Sequence, residues 1–176
     1  AIVCRADAEE PLIALLDCGE EEKTMYALNL LGEMSSDAAV PKCVELAAFG
    51  DGDEHVKELA AELLSAKCEV CKEQLLRLYG GVSNDAQALF CDVLSRCARD
   101  ERIFQTLVDA FRTHSMQTTL YSSFLARYGD ERALPALYEA IEKQGIDFAE
   151  FRELKFAIET LGGEYENKRD FSEDAI

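Results

Sequence analysis

The chain has 176 residues, of which 48% are hydrophobic, and it carries 35 acidic against 18 basic side chains, for a net charge of −17. Nucleic-acid binding needs clustered lysine and arginine to neutralise phosphates, so this balance argues against a DNA or RNA partner. No apolar run approaches the roughly 18–20 residues that span a bilayer, so we expect no membrane partner and a soluble chain long enough for one well-packed domain.

Short breaks rich in glycine, serine and aspartate divide the chain into segments with a helical pattern. The breaks read LGEMSSD (31–37), FGDGDE (49–54), YGGVSND (79–85) and RYGDER (127–132). Between them, apolar residues recur at i, i+3, i+4 and i+7, and alternating strand patterns are nearly absent. The pattern predicts about ten helices joined by short turns, which is an all-α fold.

Alternate helices align with one another at a nearly constant spacing. The intervening helices share a five-residue template, which reads ALNLL (27–31), AAELL (60–64), FCDVL (90–94), YSSFL (121–125) and AIETL (157–161). Neither helix of such a pair can bury its apolar face alone, so neighbouring pairs are expected to stack. The first apolar anchors of the other helices lie 30 to 32 residues apart, and they are Leu12, Cys43, Leu75, Leu107 and Leu137.

This register predicts a single domain over 1–176, built as an α-solenoid of about five helix pairs. A four-helix bundle is the alternative, although a bundle would not require a repeated register. The repeats are expected at about 8–34, 36–66, 68–98, 100–128 and 130–163, with 164–176 as a C-terminal cap or tail.

The segment LARYGDERALPALYEAIEKQG (125–145) resembles a HEAT repeat of the short bacterial kind, also called PBS-lyase HEAT-like. Residues 35–49 match more loosely, with Ser36 and Asp37 in place of Gly-Asp and with Val40 before Pro41. The resemblance implies a right-handed superhelix whose second helices line the concave surface. We expect Asp130 to cap the first helix of its repeat and Pro135 to kink the first turn of that helix.

The third position of the five-residue template is never apolar, so it is expected to point away from the core into the concave groove. Two further acids lie one or two turns earlier on the same helix faces. These polar positions, here called the polar ridge, are acidic over the first three repeats and mixed or basic over the last two. The candidate partner-binding residues are Asn29, Glu58, Glu62, Asp85, Asp92, Ser123 and Glu159.

We expect this groove to hold an extended or helical segment of a protein or peptide, with a basic part of that segment over the first three repeats. The alternative interpretation is a polar face that is only solvated, as any water-facing helix requires. Neither the identity of the partner nor the oligomeric state follows from the sequence.

Seven cysteines and the absence of a signal peptide at the start indicate a reducing, cytoplasmic setting. Cys68 and Cys71 have CxxC spacing, but a zinc site would need a second ligand pair and a redox motif would need a preceding strand. We therefore expect packing roles for them and for Cys43 and Cys91. Cys97, like Cys18, is expected to be partly exposed near a helix end.

No catalytic, cofactor-binding or metal-binding residue is predicted. The two histidines, His55 and His114, are expected to be surface or helix-cap residues. The chain has no phosphate-binding glycine loop, no GxSxG and no HExxH. We therefore expect a non-enzymatic scaffold or adaptor that binds proteins and needs no cofactor.

Three alternatives stay open beside the scaffold. A HEAT-like bilin lyase would need a tetrapyrrole-sized pocket, and a HEAT-like DNA glycosylase would need a basic concave face. The third is a regulatory repeat domain cut from a larger protein. It is suggested by the likeness of CRAD (4–7) to CARD (97–100), as if the chain began at the tail of an earlier repeat.

Overall fold

The structure is a computed structural model that describes residues 2–50, 54–166 and 171, with side chains described from Asp7 onward. Within those residues all regular secondary structure is helical, which confirms the predicted all-α fold. The chain divides into two compact units, Ala1–Ala98 and Arg99–Ile176, here called the first and second unit. The division falls between the third and fourth predicted repeats. The single domain and the right-handed solenoid stay predictions.

In the described part of the first unit, six α-helices form three consecutive pairs. Each helix packs against its partner in the pair, and the second helices also pack side by side, α2 on α4 and α4 on α6. The first helix α3 in turn packs on α5 and α6. The helices are α1 (Ile2–Leu15), α2 (Glu21–Met34), α3 (Val40–Phe49), α4 (Glu54–Ala66), α5 (Cys68–Leu78) and α6 (Asn84–Leu94).

In the second unit the described residues form two further pairs. These are α7 (Glu101–Thr113) with α8 (Thr118–Tyr128), and α9 (Leu134–Ile141) with α10 (Phe148–Thr160). The second helices are again neighbours, because α8 packs against α10. Ten helices in five pairs therefore follow the predicted order within the described residues. The predicted tail at 164–176 lies largely outside them.

The aligned apolar columns form the core, as predicted. The five first-helix anchors, from Leu12 to Leu137, are all buried. The first, second and fifth residues of every five-residue template are buried as well. Because these positions recur at helical spacing, burying them on one side leaves the third template position on the opposite side of each second helix.

Side-chain caps fix where three of the helices begin. Ser83 accepts a hydrogen bond from the amide of Ala86 at the start of α6, and Asp100 accepts one from the amide of Arg102 at the start of α7. Asp147 and Glu150 form a reciprocal capping box at the start of α10. Each cap satisfies an amide that has no partner inside its helix.

Two of the three prolines, Pro41 and Pro135, stand at the very start of their helices, so the kink predicted for Pro135 is not required, whereas Pro11 lies inside α1. Asp130 caps a single 3-10 turn, Glu131–Ala133, and α9 begins only at Leu134, so Pro135 is its second residue. Pro41 is likewise the second residue of α3. An amide at that position has no acceptor inside the helix, so proline removes no hydrogen bond there and no kink is needed. The predicted start of α9 at Asp130 was wrong.

At the other end of the chain, α1 begins at Ile2 rather than near residue 8.

Candidate partner-binding faces

The third template position is the most exposed or nearly the most exposed residue of each template. In α4, for example, Glu62 is exposed while Ala61 and Leu63 on either side are buried. The surface that the sequence predicted for binding is therefore open to solvent in both units. Of the five residues at this position, Asn29, Glu62 and Glu159 are exposed, and Asp92 and Ser123 are half-buried.

An acidic face lies on the neighbouring helices α4 and α6 of the first unit. It carries Glu58 and Glu62 one turn apart on α4, and Asp85 and Asp92 two turns apart on α6. Glu62 and Asp85 make no hydrogen bond or ion pair with the other described residues. Two carboxylates of this face are thus left to interact with water or a partner.

The other two acids of this face have neighbours on their own helices. Asp92 pairs with Arg96 at 3.3 Å, and Glu58 lies 3.3 Å from Nδ1 of His55, which is an exposed residue as predicted. Exposed pairs of this kind contribute little energy, so a partner could displace them at small cost.

Three of the predicted site residues are engaged within their own helices. The side-chain amide of Asn29 donates to the Met25 carbonyl over 2.9 Å, and the Ser123 hydroxyl donates to the Leu120 carbonyl over 2.7 Å. Glu159 forms a long pair with Lys155 at 3.7 Å. Asn29 and Ser123 each have a hydrogen bond inside their own helix, and unlike the acids on α4 and α6 they carry no charge to attract a basic partner.

No protein-family model matches this chain, and no curated protein matches it either. The HEAT-like resemblance therefore stays a prediction from the residues themselves.

Each second helix carries an apolar residue beside its polar third position, and these five aligned residues, here called the apolar column, were not predicted as site residues. The residue immediately before each five-residue template is apolar in all five repeats, and it lies one turn before the polar third position, on the same side of the helix. Tyr26 on α2 is 62% exposed, Leu120 on α8 39% and Phe156 on α10 61%. The column consists of Tyr26, Leu59, Leu89, Leu120 and Phe156. Aligning one more position ahead of the template would have revealed it.

The charge next to this column differs between the units. In the second unit the neighbouring charges are basic, and they are Arg127 on α8 and Arg152 and Lys155 on α10. In the first unit they are the acids of α4 and α6. Residues 1–98 contain 19 acidic and 8 basic residues, and residues 99–176 contain 16 and 10, which together give the 35 and 18 of the whole chain. The acidic excess is thus larger in the first unit.

A cleft of about 320 Å³ lies in the second unit, between the ends of α7 and α9 and the start of α10. Its charged lining is mixed and includes Arg112, Lys143, Glu139 and Glu150. None of the residues that line it is a cysteine or a histidine. The cleft therefore lacks the thiol and imidazole groups that bilin attachment or a zinc centre commonly uses.

Burial makes most of the described thiols unreactive. It raises the pKa of Cys43, Cys71 and Cys91 to about 12, so each stays protonated and packs as a small apolar residue, as predicted. Cys18 is exposed. Cys97 was expected to be partly exposed, and this was wrong, because the residue is buried and its thiol donates to the Val93 carbonyl of α6 over 3.8 Å.

Among the residues that the structure describes, one group of side chains has the chemistry to hold a metal ion. Cys68, Glu69 and Cys97 place one ligand atom each within 4.8 Å of one another. The CxxC pair does not act together, because Cys71 faces the core while Cys68 meets Cys97. Sequence spacing could not have shown this contact, since Cys68 begins the first helix of the pair and Cys97 follows the end of the second.

Proposed function

We propose that this chain is a non-enzymatic scaffold that binds a segment of a partner protein on the exposed face of its second helices. The observation that carries the proposal is the apolar column beside the polar ridge, with Tyr26 and Phe156 each about three-fifths exposed. Covering large apolar side chains with a partner is favourable because it removes their surface from water, and aromatic residues are enriched at such interfaces.

The charge of the first unit selects the partner. Glu58, Glu62, Asp85 and Asp92 flank the column on α4 and α6, and the first unit carries most of the acidic excess. A segment that combines apolar residues with lysine or arginine would cover the column and neutralise these acids. We propose that such a basic, amphipathic segment binds to the first unit.

The architecture that supports this function is a right-handed α-solenoid of HEAT-like pairs, working in the cytoplasm. Side-by-side packing of α2, α4 and α6, and of α8 and α10, is what stacked pairs require. No helix in the described part of the chain is both long and apolar enough to cross a membrane.

The lyase and glycosylase alternatives gain no specific support. The cleft of the second unit lacks a cysteine or histidine to hold a bilin. The exposed second-helix face of the first unit is acidic, where a glycosylase would need to be basic. A regulatory repeat domain of a larger protein would use the same binding face and is compatible with the proposal.

A random helical peptide library, displayed on phage and selected on the immobilised full chain, tests the proposal. We expect selection of sequences with Leu or Phe at i, i+3 or i+4 together with Lys or Arg, with affinity that falls as salt rises. The double variant Glu58→Lys/Glu62→Lys should weaken binding of a selected peptide by at least about tenfold, or ~1.4 kcal/mol.

The matched control is Glu45→Lys/Glu73→Lys, which makes the same charge change at exposed positions on the first helices α3 and α5. It should bind within about twofold of wild type, because those faces lie away from the apolar column. Equal loss in both double variants, or selection of acidic peptides, would contradict the proposed face. Tyr26→Ala should weaken binding without changing its salt dependence.

A further inference from the structure

Two thiols and a carboxylate converge where α5 begins and the chain leaves α6, inside the first unit. Cys68 and Glu69 are the first two residues of α5, and Cys97 lies three residues beyond the end of α6. Because α5 and α6 pack as a pair, the start of one helix comes close to the end of the other. The two sulfur atoms and one carboxylate oxygen lie within 4.8 Å of one another.

The carboxylate is held in place by groups outside the trio. Oε1 of Glu69 accepts the amide N–H of Ala98 over 2.5 Å, which ties it to the residue after Cys97. Oε2 accepts from Nζ of Lys72 over 2.7 Å. Metal-binding carboxylates are commonly oriented by such outer hydrogen bonds.

The donor set has the chemistry of a zinc site. Thiolate ligands suit Zn²⁺, and three protein ligands leave a fourth position of the tetrahedron for water or another ligand. Two thiolates, one carboxylate, one Zn²⁺ and the Lys72 ammonium together carry no net charge. The ion could therefore enter this partly buried place without leaving an uncompensated charge.

Cys71 is not part of the set although it completes the CxxC spacing. Its thiol is fully buried and donates to the Leu64 carbonyl at 3.7 Å and to the Cys68 carbonyl at 3.5 Å. Cys68, by contrast, is half-buried and Glu69 is exposed, which gives an ion a path from solvent.

We propose that Cys68, Glu69 and Cys97 bind one Zn²⁺ ion, which clips the start of α5 to the chain after α6. Cross-linking positions 29 residues apart in the sequence reduces the conformational freedom of the unfolded chain, so binding stabilises the third helix pair. The site is independent of the partner-binding face proposed above.

Cobalt titration of the reduced full-length chain tests the proposal, since Co²⁺ takes zinc sites and reports thiolate ligation by its absorption. We expect one equivalent of Co²⁺ to produce a sulfur-to-cobalt charge-transfer band, which Zn²⁺ then abolishes. Cys68→Ala and Cys97→Ala should each remove the band. Glu69→Gln should keep both sulfur ligands but weaken Co²⁺ binding by at least about tenfold.

Cys71→Ala and Cys18→Ala are the matched controls and should keep both the band and the stoichiometry. Absence of the charge-transfer band in the wild-type chain overturns the proposal. It is also overturned if Cys71→Ala loses the band while Cys97→Ala keeps it. Far-UV circular dichroism of every variant identifies any loss that comes from unfolding.

A second measurement needs no variant. Zn²⁺ should protect Cys68 of the wild-type chain from alkylation, read by peptide mass spectrometry, while the exposed Cys18 reacts at the same rate with and without the ion. Equal alkylation of Cys68 in both conditions would overturn the zinc site even if the alanine variants fail to fold.

Discussion

Tyr128 and Asp100 are joined through a single hydroxyl group. The Asp100 amide donates to Oη of Tyr128 over 2.7 Å, and Oη donates to the Asp100 carbonyl over 3.0 Å. The side chain at the end of α8 thus secures the residue that caps α7. Tyr138 repeats the arrangement with Glu164, at 3.1 Å and 3.0 Å. Both pairs of hydrogen bonds connect residues that are far apart in sequence within the second unit.

Tyr128→Phe should lower the free energy of unfolding by about 1–3 kcal/mol, because it removes both hydrogen bonds at a buried tyrosine. Tyr138→Phe is the matched control. Glu164 is exposed, so water can replace the lost hydroxyl, and we expect a cost under about 1 kcal/mol. Urea denaturation with unchanged m-values measures both, and equal costs would contradict the difference in burial.

Asp130 should make the stability of the second unit depend on acid pH. Its buried carboxylate accepts hydrogen bonds from the Arg132 amide, from Nε at 3.0 Å and from Nη2 at 2.8 Å. The Arg132 side chain holds the pKa of Asp130 below its ordinary value. A carboxyl whose pKa is lower when folded stabilises the fold above its unfolded pKa of about 3.9. That stabilisation is lost as pH falls through the folded pKa.

Asp130→Asn isolates this effect, because asparagine keeps the cap but carries no charge. The stability advantage of wild type over Asp130→Asn should shrink as pH is lowered from about 5 to about 2. Arg132→Gln should flatten the same part of the wild-type profile, since Arg132 is the main cause of the lowered pKa of Asp130. If the free energies of unfolding of wild type and Asp130→Asn change in parallel with pH, the Asp130–Arg132 pair contributes no pH dependence.

Pro135→Ala should change the free energy of unfolding by less than about 1 kcal/mol. Pro135 is exposed and is the second residue of α9, where its missing N–H costs no hydrogen bond. Glu139→Pro, at an exposed interior position of the same helix, should cost about 3 kcal/mol or more. Thermal unfolding separates the two. A large loss in Pro135→Ala would mean that the ring itself sets the entry into α9.

Gly163→Ala should destabilise the second unit by about 1–3 kcal/mol through overpacking. A Cβ at this position would lie 2.7 Å from Oη of Tyr138, 2.8 Å from Cγ2 of Ile158 and 2.8 Å from Cδ2 of Leu134. Chemical denaturation measures the loss, and shortening Leu134 to alanine in the same chain should recover part of it.

Gly80→Ala is the control for the alanine side chain itself, because nothing lies within 4 Å of a Cβ there. It should change stability by no more than about 0.5 kcal/mol. A Gly163→Ala variant as stable as wild type would show that the chain after α10 moves aside without cost.

The repeat register determined the helix pairs and the core. The five first-helix anchors, from Leu12 to Leu137, are buried as their spacing predicts. So are the first, second and fifth residues of each five-residue template. Periodicity is a local property, so the side of a helix that faces the core can be inferred without knowing its neighbours. The exposure of Glu62 and Asn29 between buried residues follows from the same spacing.

The start of α9 did not follow from the sequence in the same way. Both Asp130 and the residues around Pro135 carry signals for a helix start, and the chain uses the first for a 3-10 turn and the second for the helix. Local propensities fix the boundaries of a helix only to within a few residues, because packing decides between competing caps.

By itself, then, the sequence determined that the chain is all helical, where its helix pairs lie and which residues form the core. The tertiary structure decided that Tyr26 and Phe156 stay exposed, because coverage of an apolar side chain depends on which neighbouring helix reaches it. It also decided that Cys68 meets Cys97 rather than Cys71. Contacts between distant positions arise when two helices pack at a particular place, and a periodic pattern does not specify that place.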